Sequence, residues 1–262
     1  QSAQFFGFTC DVNGTRLSDK HLDPMKSLVP PTDISETRRT LGLFVVSRKY
    51  IKDYAMITKP LTDILRGKKP EFVWGPSQQK AFDHVRDLLL GGIHLAAPDF
   101  ALPFHLASDA SEDGKGAVLY QLPHVPLDQQ TEYSARTHSP DQMAVIMFLS
   151  KAWSETERNR PPFYLEADAL LWSTKKSLFY ALSSPFPLYT HSDHQPLNWM
   201  TKSEKGPVSK FLIEELSELE TVHSCIPGRL NAIPDAASRY PLLGPKRISP
   251  RGLSHSLDEL LS

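Results

Sequence analysis

The sequence predicts an α/β chain of the α+β kind, a helical module followed by a five-stranded mixed sheet with flanking helices. Three observations carry this. Apolar residues recur at helical spacing early in the chain, as in Phe82, Val85 and Leu89. From Pro103 the pattern changes to the alternation of strands, in two runs, PFHLASDAS and GAVLYQL, on either side of a Gly-containing turn. Beyond residue 157 helix-like and strand-like runs alternate, which is how a sheet acquires covering helices.

Taken in order, residues 1–30 read as a short hairpin, because Phe5-Phe6-Gly7-Phe8 leads into Asp11-Val12-Asn13-Gly14 and Asn-Gly favours a tight turn. Pro30-Pro31 breaks the chain. Asp33, with Glu36 three positions on, forms a capping-box pattern for a helix through about Arg48. A second helical stretch runs through Leu61 and Leu65 to Gly67, and Gly75-Pro76-Ser77 opens a third. This module, residues 31–97, ends at Ala96-Ala97-Pro98. In the sheet module, residues 98–241, the hairpin of PFHLASDAS and GAVLYQL comes first, followed by a polar, proline-containing segment at 122–142 expected to be exposed. Val145 to Ser150 is the third strand, Glu157 to about Leu182 a long helix with Pro161-Pro162 near its start, and 186–193 the fourth strand. A helix over 208–220 and a fifth strand over 221–226 complete it. Residues 242–262, with prolines and small polar side chains, read as a linker tail.

Composition narrows the classes. Forty per cent hydrophobic residues suit a packed core rather than disorder. No stretch approaches the ~18 consecutive apolar residues of a membrane span, so no membrane is expected. The opening QSAQFFGFTC lacks a secretion signal and reads as cut from a longer chain. Cys10 and Cys225 are far apart and form no paired motif; an intracellular, reducing setting is expected, in a cytoplasmic particle or the nucleus. The net charge of −1 conceals a split. Residues 1–97 carry 14 Lys/Arg against 10 Asp/Glu, and the remainder 15 against 20. That balance suits a mildly basic gripping part, with Arg38, Arg39, Lys49 and Lys52 as backbone contacts or a solvated face, joined to an acidic part.

Four acids stand out. Asp109 ends PFHLASDAS, Glu166 lies in the long helix, Asp193 closes PFPLYTHSD, and Asp235 opens the helix-like PDAASR. Any one alone reads as a cap or a solvated charge. Together, on a strand end, a helix, a strand end and a helix start, they form a nest for hard divalent cations. Such a nest suits phosphodiester hydrolysis, since two metals stabilise both the attacking and the leaving oxygen. His191 and His194 flank Asp193, but zinc is disfavoured without neighbouring cysteines. Glu112 and Asp113 are turn residues, Asp168 a solvated or partly strained helix position, and Trp153, Trp172 and Trp199 core residues.

Read as a whole, the chain resembles the end of the reverse transcriptase palm and the thumb, followed by ribonuclease H, of gypsy-type LTR retrotransposon Pol polyproteins. The first part is carried by FFGFTCDVNGTRLSDKHLDPMKSL, TRRTLGLFVVSRKYIKDYAMITKPLTDIL and FVWGPSQQKAFDHVRDLL. The second is carried by APDFALPFHLASDASEDGKGAVLYQ, LSKAWSETERN, LEADALLW, YTHSDHQPLNWM and IPGRLNAIPDAASR. The resemblance spans about residues 4–241 in the family's order. It implies a ribonuclease H-like sheet preceded by a reverse-transcriptase thumb-like helical module, and catalytic, metal-binding roles for Asp109, Glu166, Asp193 and Asp235. It also implies two Mg²⁺ ions that Mn²⁺ can replace. The implied reaction is cleavage of the RNA strand of an RNA–DNA hybrid, and the implied partners are that hybrid and the rest of the Pol polyprotein, the fingers and palm and the integrase.

The sequence departs from the family at Asp168, where an apolar helix residue is usual, and at Tyr164, where an acid is frequent. It departs also in the longer 122–142 insertion and the more polar strand before IPGRLN. The paired aspartates of the polymerase signature are absent, so DNA synthesis is not expected of this fragment. A non-catalytic, domesticated or decayed nucleic-acid-binding module is the competing reading, and the acidic half and Asp168 are its support. An integrase or resolvase would need different acid spacing.

Overall fold

The expected N-terminal hairpin consists of β2 (Phe8–Asp11) and β3 (Gly14–Leu17), with β1 (Ala3–Phe5) antiparallel to β2. The computed structural model describes residues 2–5, 7–12, 14–131, 134, 138, 142–193 and 220–226. A two-residue strand, β4 (His94–Leu95), adds to the far side of β3 by pairing Leu95 with Thr15. Gly14 permits that approach: a Cβ there would meet the Leu95 carbonyl oxygen at 1.9 Å, and φ is 132°. Two residues carry no periodicity, which is why β4 had no sequence signal.

Between β3 and β4 lie the helices. α1 (Asp19–Lys26) contains Pro24, whose presence masked it in the sequence. α2 (Ile34–Val45) begins where Asp33 accepts the Glu36 N–H at 2.7 Å; the Glu36 carboxylate turns instead to the Thr32 N–H and hydroxyl. The second predicted stretch is two short helices, α3 (Tyr54–Ile57) and α4 (Lys59–Asp63). Pro60 has no N–H to extend the first into the second. α5 (Pro76–Leu90) buries Phe82, Val85 and Leu89 as its spacing requires.

The second sheet holds β5 (His105–Ala110), β6 (Gly114–Gln121), β7 (Ala144–Ala152), β8 (Leu188–Ser192) and β9 (Thr221–Cys225) in the order β7-β6-β5-β8-β9. β5, β6 and β7 are antiparallel neighbours, whereas β5–β8 and β8–β9 are parallel. This is the mixed five-stranded sheet that the alternation predicted. The single long helix predicted after residue 157 is divided into α6 (Glu155–Arg158), α7 (Pro162–Lys176) and α8 (Leu178–Leu182). A capping box of Ser154 and Glu157 starts α6, Pro162 sits in the first turn of α7, and the Ser177 hydroxyl donates to the Ser173 carbonyl at the last break.

Both faces of the sheet are covered. Ala107, Val118, Tyr120 and Phe148 join Phe44, Leu61, Phe82 and Val85 in one core, which continues across residue 97 without a break. The Ala96 N–H donates to the Val145 carbonyl at 2.7 Å along the same seam. Leu106, Ala117, Leu119 and Met147 face the other way, with Phe104, Ala181 and Leu188. The segment after residue 121 was expected to be exposed. Its described part is divided: Pro123, His124, Pro126, Leu127, Asp128 and Gln129 are exposed, whereas Leu122, Val125, Gln130 and Ser134 are buried, and the Gln130 amide donates to the Leu122 and Val125 carbonyls. A glutamine that can satisfy two backbone carbonyls makes a polar segment buriable. The helix expected over 208–220 and the tail from 242 lie outside the described residues, apart from Glu220.

The interior of this sheet is polar in one place. His105 shares a hydrogen bond with His191 (3.3 Å), and His191 with Ser224 (2.8 Å), while His223 contacts Thr190 and Ser192. The His105 ring stacks on Tyr120, Tyr189 and His191, and Gln130 and His138 also act on it. Burial pushes His105 down to about 3. The folded chain therefore refuses a proton that the unfolded chain accepts below about pH 6.5. The contribution of His105 is complete above that pH and falls by roughly 1.4 kcal/mol per pH unit on acidification toward 3. Denaturant titrations of the parent and of His105→Gln at pH 7.5, 6 and 5 check this: the parent's advantage should shrink with acid, and a constant gap would refute it.

Candidate metal centre

Parallel pairing of β5 and β8 sets the site. Parallel neighbours end at the same edge of a sheet, so Asp109, near the end of β5, and Asp193, immediately after β8, emerge side by side. The register places Ala107 opposite His191, two residues before each acid. β9 holds the second strand end in place, with the Ile226 N–H donating to the Ser192 carbonyl at 2.8 Å and the Cys225 thiol donating to the Asp193 carbonyl. Glu166 comes from α7, which packs across β5, β6 and β8. Its second turn lies over that edge.

Carboxylate oxygens of Asp109, Glu166 and Asp193 all lie within 4.8 Å of one another. Three of the four acids singled out in the sequence are therefore together; Asp235 and His194 lie outside the described residues. Burial, with Asp109 and Asp193 adding repulsion, raises the Glu166 carboxyl to about 8. Burial and then Asp193 also raise Asp109. The Glu166 Oε2 atom is buried and lacks a hydrogen-bond partner among the described residues. A carboxylate oxygen removed from water without a donor is costly, and a cation is what that position suits. The donor set is all hard oxygen, which fits Mg²⁺ or Mn²⁺ rather than a soft metal.

The surroundings were less legible. Asp53 has a left-handed backbone (φ 52°), and its carboxylate lies over Gly116, the residue paired with Asp109; a Cβ on Gly116 would be 3.2 Å from it. The Ala55 N–H donates to Ser150 Oγ at 2.9 Å, which docks this loop on β7. Asp53 and Lys52 therefore border the acids from the helical side, and both influence Asp109. No strand or helix period marks such a loop. Arg38 and Arg39 are exposed on α2, whereas Lys49 lies over the rings of Phe8 and Tyr50. Asp168, expected to be a solvated or partly strained helix position, is partly exposed and pairs with the buried Lys115. Trp153 is core, as expected. His191 is engaged with His105 and Ser224. Among the described residues no helix is long and apolar enough to cross a membrane.

Residues 74–188 match the family described as an RNase H-like domain found in reverse transcriptase. The chain is 29% identical over 252 residues to the retrovirus-related Pol polyprotein from transposon opus of Drosophila melanogaster, covering 91% of this chain and 23% of the relative. It is 30% identical over 240 residues to that from transposon 297 (91% and 21%), and 27% over 257 residues to that from transposon gypsy (92% and 22%), both of the same fly. The chain thus spans about a fifth of the length of the curated relatives it matches. Two solved structures share the fold: a foamy viral protease-reverse transcriptase in complex with RNA/DNA hybrid (TM-score 0.62, 19% identity, 86% of this chain and 29% of that one) and a related dRH form in complex with double-stranded DNA (0.63, 17%, 86% and 38%). Residues 74–188 thus carry an RNase H-like domain of the kind found in reverse transcriptase, and the chain as a whole is similar to the Pol polyproteins of gypsy-type transposons.

Proposed function

We propose that this chain is a metal-dependent endonuclease that hydrolyses the RNA strand of an RNA–DNA hybrid, as the RNase H part of a retroelement reverse transcriptase. The observation that carries the reading is the convergence of Asp109, Glu166 and Asp193 at one sheet edge, with a buried Glu166 oxygen left without a donor among the described residues. Asp109, Glu166 and Asp193 would hold the cation, with Asp235 as the fourth acid by resemblance. Bound Mg²⁺, two ions in this reading and replaceable by Mn²⁺, supplies activation of a water and stabilisation of the departing 3′-oxygen. The chain's own contribution is positional: strand ends set side by side by parallel pairing, and a helix that lowers a third carboxylate onto them. Hybrid selection rests on minor-groove shape and 2′-hydroxyls rather than base edges. Arg38 and Arg39, exposed on the helical side, are suited to phosphate contacts. The remainder of the Pol polyprotein is the proposed partner, in an intracellular particle or the nucleus. The similar foamy viral enzyme held with an RNA/DNA hybrid supports the choice of substrate.

Two measurements test this. Without metal, the folded chain keeps a proton on Glu166 up to about pH 8 that the unfolded chain releases near 4.5. Stability contributed by this group therefore falls as pH rises from 4.5 through 8. Glu166→Gln has no such proton to lose. In EDTA its melting midpoint should exceed the parent's by a gap that widens steadily from about pH 5 to pH 9, reaching at least several degrees. Mn²⁺ should raise the parent alone. A gap that does not widen with pH would remove the electrostatic argument for a cation.

The second is catalytic. Asp193→Asn keeps size and hydrogen bonding but removes a charge from the cation's ligands. It should slow cleavage of a labelled hybrid in Mg²⁺ by on the order of a hundredfold or more while leaving hybrid affinity largely intact. An Asn variant that cuts as fast as the parent would sink the assignment. A parent that binds hybrid but does not cut it would select the non-catalytic reading.

A further inference from the structure

Lys115 lies on β6 and is 2% exposed. An ammonium group rarely leaves water unless it is paired. Its Nζ donates to Asp168 Oδ2 on α7 and lies 4.9 Å from the ring centre of Trp153 and 5.2 Å from that of Trp172. Trp153 is tied down in turn. Its indole N–H donates to the Ser111 carbonyl at 2.8 Å, and its backbone N–H to the Asp113 carbonyl at 3.0 Å. Ser111 stands two residues after Asp109, and Asp168 two residues after Glu166. The ammonium group is thus the junction of two short links, one ending beside each of two proposed metal ligands.

α7 has use for such a link. Its N-cap, Pro161, offers no side-chain cap, and the hydroxyls of Ser173 and Thr174 bond back into the helix itself. The rest of its sheet-facing surface is largely Ala and Leu. Apolar contacts are not directional and tolerate a small roll or slide of a helix. A charged hydrogen bond with fixed partners does not.

We propose that Lys115 and Asp168 are positioning residues that hold Glu166 at the separation from Asp109 that a divalent cation requires, an inference that rests on the metal-centre reading above. Neither contacts the cation. Asp168 acts through α7, and Lys115 through Trp153 and the turn at 111–114.

Stability alone is a poor explanation for the pair, because apolar residues of similar volume commonly replace a buried ion pair without loss. That fact supplies the test. The double variant Lys115→Met/Asp168→Leu removes both charges and keeps the space filled; Lys115→Arg keeps the charge. Binding of Mn²⁺ alone to the full chain is followed by electron paramagnetic resonance of the free ion, alongside melting midpoints in EDTA. The double variant should melt close to the parent yet bind Mn²⁺ roughly tenfold more weakly, the usual effect of losing an outer partner of a metal ligand. Lys115→Arg should recover most of the affinity. A double variant that binds Mn²⁺ as the parent does overturns the positioning role and leaves the metal centre standing. One whose midpoint collapses shows that the pair is structural and overturns it also. A parent that binds no Mn²⁺ overturns the metal-centre reading, and this inference with it.

Discussion

The parallel alignment of β5 with β8 is the constraint on which the rest depends. Reversed, β8 would carry Asp193 to the opposite end of the sheet, and no movement of α7 could bring Glu166 to both strand ends. Parallel neighbours require a long crossover, and here it includes α6, α7 and α8. The crossover that makes the pairing possible is therefore also the element that delivers the third acid. Topology and chemistry are one requirement in this half of the chain.

The acids repel one another, and the chain does little to relieve them from within. Asp109 and Glu166 both hold their protons more tightly than usual, and the Glu166 Oε2 atom has no donor among the described residues. Neighbouring groups are well provided for: Asp113 meets Lys59 and Arg158, Glu157 meets Lys151, and Asp168 meets Lys115. These neighbouring acids have cationic partners, whereas burial and mutual repulsion dominate at the point of convergence.

Much of this could be read in the sequence because period is a strong signal. The switch from helical to alternating spacing located the strands, and Phe82, Val85 and Leu89 identified the buried face of α5. The acids were legible because each stands at the end of a periodic run or within one. What escaped has no period. β4 is two residues long, α1 hides behind Pro24, and the left-handed Asp53 belongs to a loop. The partner of Asp168 escaped for a different reason. A charge on a helix is solvated by default, and only the fold brings a lysine from a distant strand to meet it. Likewise part of the polar segment after residue 121 is held against the core through the amide of Gln130, a partner that composition cannot announce.

The return of β4 to β3 bears on the order in which the chain can assemble. Leu95 pairs with Thr15 only after the whole helical module has been synthesised, so the N-terminal sheet cannot close as it leaves the ribosome. Phe44, Leu61 and Phe82 meanwhile share their core with Val118 and Phe148, which are made later still. Such contacts between distant segments incur loop-closure entropy before they return any stabilisation, and they slow folding. The helices have to wait, with apolar faces uncovered, for a sheet whose central pairing is itself delayed until β8. A nascent chain of this design is most open to aggregation midway through its synthesis, when its first sheet lacks an edge and its second lacks a centre.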